Sequence, residues 1–186
     1  MRIISGFLKG RSIKYIRNSN TRPLKDNVKE NIFNILQHSN LIKTKIENSN
    51  ILDLYSGIGS FGIECISRGA NKVTFIDQDA SATNILRENL INLSIINKSK
   101  IILNKIENIL YNDLKQSFDI FFLDPPFSYT NYFNDLKIIK QKKIFKKKHI
   151  TIIHRENKSN DEFNDLLEII ETKKYGRSKI IFGLFK

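Results

Sequence analysis

The stretch Asp53-Leu-Tyr-Ser-Gly57-Ile-Gly59-Ser-Phe-Gly62, entered from the apolar pair Ile51-Leu52, decides how this chain is read. Gly57-x-Gly59-x-x-Gly62 has the spacing of a loop that carries a dinucleotide between a strand and a helix. Glycine there lets the backbone turn tightly and approach a ligand without a Cβ in the way. Asp53 argues against a dinucleotide. Pyrophosphate would approach this strand end, and a carboxylate four residues before the first glycine would repel it. S-adenosylmethionine (SAM), which carries a sulfonium and an ammonium but no phosphate, suits that acid. The next apolar run ends Phe75-Ile76-Asp77, and a carboxylate at its tip offers two acceptor oxygens to the two ribose hydroxyls. Tyr55 and Gln78 adjoin these points and join Asp53, Gly57, Gly59 and Asp77 as candidate cofactor contacts. Asp79 either shares that role or caps the helix that follows.

Outward from the loop, strand and helix patterns alternate. Strands are predicted over 51–55, 72–77, 100–104, 118–123, 149–154, 167–173 and 178–185. Helices are predicted over 60–68, 81–93, 107–115, 131–140 and 160–166. This is the pattern of an α/β fold, a mostly parallel sheet covered on both faces. The link Lys173-Lys-Tyr-Gly176-Arg is too short for a crossover, so the last two strands are expected to form an antiparallel C-terminal hairpin. Ahead of the loop, Val28, Ile32, Phe33, Ile35 and Leu36 recur at helical spacing, which predicts an amphipathic helix from about Lys25 to His38. Arg2–Ser5 and Arg11–Tyr15 flank a Gly6…Gly10 turn region, predicting a small N-terminal β-hairpin. The expected division is an extension, 1–22, and a main domain, 23–186.

The second informative segment is Asp124-Pro125-Pro126-Phe127, 71 residues beyond Asp53 and directly after the apolar run Phe118–Leu123. It has the chemistry to hold an exocyclic amine on a nucleic-acid base. Such a nitrogen is a poor nucleophile because its lone pair is delocalised into the ring. A carboxylate and a backbone carbonyl that accept its two N–H bonds favour the pyramidal geometry needed for methylation. Asp124 supplies the carboxylate and Pro125 the carbonyl. Pro125 and Pro126 stiffen the loop by fixing φ, and Phe127 offers a stacking face to a base that has left its helix. Asp124, Pro125, Pro126 and Phe127 are the candidate catalytic residues.

The remaining composition narrows the class. No apolar run approaches the length needed to cross a bilayer, and the start turns polar too quickly for a signal peptide. The single cysteine, Cys65, excludes an intramolecular disulfide and fits a reducing compartment, so a cytoplasmic protein is expected. His38, His149 and His154 share no metal-ligand spacing with each other or with Cys65, and no metal is expected. The formal charge is +12, from 31 Lys and Arg against 19 Asp and Glu, which favours a polyanionic partner. The 23 Lys, 8 Arg and 21 Asn also reflect an AT-rich coding bias, which supplies part of that excess. Arg2, Lys9, Arg11, Lys14, Arg17 and Arg22 crowd the first 22 residues and are candidate phosphate contacts. The run Lys137–Lys148, seven lysines in twelve residues, is either a second contact or a solvated face.

These motifs, together with Arg2-Ile-Ile-Ser-Gly6…Lys9-Gly10-Arg11, Thr21-Arg22-Pro23…Asp26-Asn-Val28-Lys-Glu30 and the closing Tyr175-Gly176…Lys179, give the chain a resemblance to the RsmD family along nearly its whole length. That family methylates the exocyclic N2 of one guanine in bacterial 16S ribosomal RNA. The resemblance implies a Rossmann-like class I SAM-dependent methyltransferase with a seven-stranded sheet, and a 16S rRNA or small-subunit partner. It also implies that Arg22, Pro23 and their loop help order the target RNA or the cofactor pocket. The family usually carries a polar residue near the end of the third strand, towards the adenine. Ile106 stands there in this chain. A monomer is the simplest expectation. Two other readings remain open on the residues alone: a DNA adenine-N6 methyltransferase, and a non-catalytic RNA-binding protein of ribosome assembly.

Overall fold

The computed structural model describes residues 1–15, 24–112, 114 and 116–186. Arg17 and the Thr21-Arg22-Pro23 segment lie outside them. Seven strands, β1 (Asn50–Leu54), β2 (Lys72–Asp77), β3 (Ser99–Leu103), β4 (Phe118–Leu123), β5 (Phe145–Glu156), β6 (Leu167–Tyr175) and β7 (Ser178–Phe185), form one sheet in the order β3-β2-β1-β4-β5-β7-β6. β7 runs antiparallel to both of its neighbours, and the pairs from β3 across to β5 are parallel. The strand order reverses between β1 and β4, so the carboxyl ends of these two strands open the crevice in which such sheets bind ligands.

The central strands are apolar because both faces are covered. Ile51, Val73, Phe75, Ile120 and Phe122 pack on one side, under α1 (Asp26–His38), α2 (Ser60–Ser67) and α3 (Ala80–Asn92). Leu52, Leu54, Ile76, Phe121 and Leu123 pack on the other, under α4 (Ile106–Asn112) and α5 (Tyr132–Lys142). The side chains sort by the two-residue alternation of a strand.

The N-terminal residues pair as expected, over a short length. Arg2 bridges Ser12, the Ile3 N–H donates to the Arg11 carbonyl at 3.0 Å, and the Ile13 N–H donates to the Met1 carbonyl at 2.9 Å. Ile3, Leu8 and Ile13 are buried in the first core layer. Glu64 of α2, fully buried, accepts the Ile4 and Ser5 N–H groups at 2.8 and 2.9 Å. The equally buried Lys29 ammonium of α1 donates to the Arg2 carbonyl at 3.0 Å and stands 3.9 Å from Glu64.

Two expectations change. No helix forms over 160–166, which is a turn linking β5 to β6. Asp161 explains the difference: its carboxylate is tied to Tyr132, Arg155, Ser159 and Lys179, and these ties hold the segment in an irregular path. β5 begins at Phe145 rather than 149, so Lys146, Lys147 and Lys148 are exposed strand residues.

Candidate active site

Asp53 is the last residue but one of β1 and does not face the crevice. It is 1% exposed, and its Oδ2 accepts the Gly62 N–H at 3.0 Å. Burial pushes this carboxyl well above the usual range; the Gly62 hydrogen bond opposes the rise, and the nearby Asp124 and Asp77 charges add to it. Its structural effect is to fasten the glycine loop to the start of α2. Gly59 must be glycine on two counts: its φ is +81°, and a Cβ would come within 2.3 Å of a Leu86 methyl. Gly57, with φ +53°, donates its N–H to Asp77 Oδ2 at 2.7 Å. Asp77 Oδ1 accepts the Asp79 N–H at 2.9 Å. Burial raises the Asp77 carboxyl, against the pull of these backbone donors. Asp79 itself is the cap of α3, accepting from the Ser81 and Ala82 N–H groups, which is the capping alternative of the two open for it.

A cavity of about 640 Å³ lies over the carboxyl ends of β1, β2, β4 and β5. Tyr55, Gly57, Ile58, Asp77, Gln78 and Ile106 line one part of it, and Asp124, Pro125, Pro126 and Phe127 line another. The two sequence motifs therefore share one space. Among the cofactor candidates, Asp53 and Gly59 stand behind the loop, supporting it. Ile106, the first residue of α4, brings Glu107 with it to the cavity wall.

Tyr55 has φ +58° and donates its hydroxyl to Asp135 Oδ2 at 2.5 Å. Asp135 comes from α5, is 3% exposed and lines the cavity. Burial raises its carboxyl to about 6, with Tyr55 pulling it down and the Glu107 charge pushing it up.

The Asp124 loop is held from β5. His154 Nδ1 lies 2.8 Å from Asp124 Oδ1, and the Phe127 ring meets the imidazole edge-on at 5.4 Å. Arg155, 2% exposed, donates to the Pro126 carbonyl at 3.2 Å and the Phe127 carbonyl at 3.1 Å. Its Nε reaches Asp161 Oδ1 at 3.2 Å, and its guanidinium stacks 4.6 Å over the Tyr132 ring. Burial alone would raise the Asp161 carboxyl. Hydrogen bonds from Ser159, Tyr132 and Lys179, with the Arg155 charge, outweigh it and hold the group below the usual carboxylate range.

The expected cations fall elsewhere. Arg2, Lys9 and Arg11 are exposed and do not line the cavity; Arg17 and Arg22 lie outside the described residues. Lys14 pairs with Glu88 at 3.1 Å. Lys146–Lys148 start β5, at the opposite end of the parallel strands from Asp124. At the cavity itself, among the described residues, stand Lys25, Lys105 and Arg177. His154, Arg155, Asp135 and Asp161 escape a reading based on motifs. For His154 and Arg155 the one signal is that two polar residues follow the mostly apolar run Ile150–Ile153.

Both the sequence and the fold have known relatives. The family described as conserved hypothetical protein 95 matches residues 1–184. The chain is 32% identical to ribosomal RNA small subunit methyltransferase D of Buchnera aphidicola subsp. Baizongia pistaciae, over 100% of this chain and 91% of that protein. It is 38% identical to YlbH of Bacillus subtilis, a proposed rRNA methyltransferase, over 68% of this chain and 67% of that one. Among solved structures it resembles a proposed methylase from Haemophilus influenzae, with a TM-score of 0.77, 28% identity and coverage of 100% and 98%. A match of this extent makes the chain a member of the conserved hypothetical protein 95 family, the RsmD family that its sequence resembles.

Proposed function

We propose that this chain is a SAM-dependent methyltransferase that modifies the exocyclic N2 amine of one guanine in 16S rRNA of the small ribosomal subunit. The observation that carries the reading is the single cavity shared by the Gly57–Asp77 loop and Asp124-Pro125-Pro126-Phe127. The residues fit SAM. A Cβ on Gly57 would meet no atom of the described residues within 4 Å, its chain neighbours aside, so the loop backbone borders open space. Among the described residues, Asp77, Asp79, Glu107, Asp124 and Asp135 give the lining an acidic balance over Lys25, Lys105 and Arg177, which suits a cation and disfavours pyrophosphate. Asp77 and Gln78 would hold the ribose, Gly57 the amino-acid end, and Ile106 a face of the adenine.

Bound SAM supplies an electrophilic methyl group on sulfur. The chain's own task is to present the amine. The Asp124 carboxylate and Pro125 carbonyl accept its two N–H bonds, raising nucleophilicity at nitrogen, and Asp124 is placed to take the proton that the nitrogen sheds. Phe127 stacks the flipped guanine. Lys25 and Arg177 in the cavity lining, with Arg2, Lys9 and Arg11 further out, would neutralise phosphates of the flanking strand. A cytoplasmic monomer suits this role, and no helix of the described residues is long and apolar enough to cross a membrane.

The test is transfer from labelled SAM to unmodified small subunits, deproteinised 16S rRNA and duplex DNA, followed by nucleoside digestion. N2-methylguanosine from a ribosomal acceptor supports the reading. N6-methyladenine from DNA alone overturns it in favour of a DNA enzyme. SAM binding absent by calorimetry would leave only a non-catalytic RNA-binding role.

A further inference from the structure

In the proposed reaction the amine has two acceptors, and adjacent residues of β5 hold one of them and the loop that follows the other. Nδ1 of His154 lies 2.8 Å from Asp124 Oδ1. Nδ1 faces a carboxylate oxygen, an acceptor, so Nδ1 is the ring nitrogen that donates. The other ring nitrogen, Nε2, is buried with no hydrogen-bond partner among the described residues. A proton there would be unsatisfied, which favours the same tautomer. With Oδ1 engaged, the carboxylate cannot turn freely about its terminal bond, and Oδ2 is the oxygen left for the amine. The next residue, Arg155, grips the two carbonyls that follow Pro125, at 3.2 and 3.1 Å. With the Pro126 and Phe127 carbonyls engaged, the direction of the Pro125 carbonyl is set by a loop that cannot twist. Asp161 and the Tyr132 ring hold the guanidinium in turn.

We infer that His154 and Arg155 are positioning residues for the two acceptors of the target amine: His154 aims the Asp124 carboxylate and Arg155 aims the Pro125 carbonyl. This rests on the methyltransferase reading of the site. Neither residue touches the reacting atoms. Their contribution is orientation, and small misplacements of a reacting group cost much in turnover and little in binding.

The test compares His154→Leu, His154→Asn and Arg155→Lys with the unaltered protein. The readouts are kcat and KM on unmodified small subunits, SAM Kd by calorimetry, and thermal melting. His154→Leu fills the same volume without a donor and is expected to lower kcat about 100-fold, with KM and SAM Kd within about threefold. The amide nitrogen of His154→Asn stands close to where Nδ1 stood, and is expected to restore at least about tenfold of that loss. Arg155→Lys keeps a charge against Asp161 but lacks the planar fork for two carbonyls, and is expected to lower kcat about tenfold or more. The inference is overturned by His154→Leu turning over within about threefold of the unaltered protein, or by folded His154→Asn that is no better than His154→Leu. A loss seen equally in SAM Kd would also overturn it, by moving His154 to the cofactor site. If the unaltered protein methylates no acceptor, the reading on which the inference rests has failed; if it is active and the variants match it, only the inference has.

Discussion

The Gly57 N–H donates to Asp77 Oδ2 at 2.7 Å, so the loop after β1 is tied to the tip of β2 across the cavity floor. One carboxylate thereby sets the loop and faces the space assigned to the ribose. Asp77→Ala is expected to lose both contributions. A hydrogen bond to a charged group is worth about 1.5–3 kcal/mol, so SAM affinity should fall roughly 10- to 150-fold. Calorimetric titration checks this, and an unchanged Kd would remove Asp77 from the cofactor site.

Asp135 gives a pH dependence of defined sign. Its carboxyl is raised to about 6 by burial, so between the ordinary carboxylate range and pH 6 the folded state binds the proton that the unfolded state has lost. Stability from this group therefore declines as pH rises from about 4 to 6, by on the order of 2–3 kcal/mol. Asp135→Asn still accepts from the Tyr55 hydroxyl and cannot ionise. The variant is expected to show a flatter stability profile over that window and to be at least as stable as the parent above pH 6. Urea unfolding at several pH values checks it; lower stability of the variant across the whole range would contradict it.

Asp161 is the keystone of the buried group behind the Asp124–Phe127 loop. Removing it leaves Arg155 and Lys179, 2% and 12% exposed at their side chains, without their carboxylate. Asp161→Ala is expected to cost about 3–5 kcal/mol, visible as a large fall in Tm. Because its carboxyl is held below the usual range, the stability it confers is present in full above the ordinary carboxylate pKa. It is lost as pH falls through the lowered value. A melting temperature within a few degrees of the parent would show that the network carries little.

Much of this architecture is legible in the sequence because the informative features are local. The alternation of apolar runs and helical spacing marks all seven strands, and the glycine spacing with Asp53 marks the loop. Asp124-Pro125-Pro126-Phe127 needs only four consecutive residues. What stays hidden depends on tertiary neighbours. His154 and Asp124 are 30 residues apart and meet because β4 and β5 pair in parallel. Tyr55 and Asp135, 80 residues apart, meet only once α5 folds back over β1. The turn at 160–166 has helix-compatible composition, and four side-chain ties to Asp161 override it. Asp53 is legible as important, yet its role is to hold Gly62 from behind rather than to face a ligand.

Lys25 and Arg177 are exposed residues that line the cavity. Lys25→Glu with Arg177→Glu is expected to raise KM for small subunits and to leave SAM Kd unchanged. The slope of log affinity against log salt should shrink by about one for each phosphate that the variant no longer neutralises. Charge reversal of Arg2, Lys9 and Arg11 together should weaken binding through the same salt-dependent route, with kcat retained. Equal subunit binding by all of these variants at several salt concentrations would dismiss both groups as RNA-binding residues.

The central claim is that Asp124 presents a guanine amine for methylation, and the paired measurement on Asp124→Ala tests it most directly. N2-methylguanosine released from small subunits treated with SAM would be quantified by mass spectrometry, beside the SAM Kd of the same preparations. The account predicts the modified nucleoside with the parent protein, a loss of about a thousandfold or more with Asp124→Ala, and SAM affinity nearly intact. Retained turnover by Asp124→Ala, or loss of SAM binding in step with activity, would contradict it.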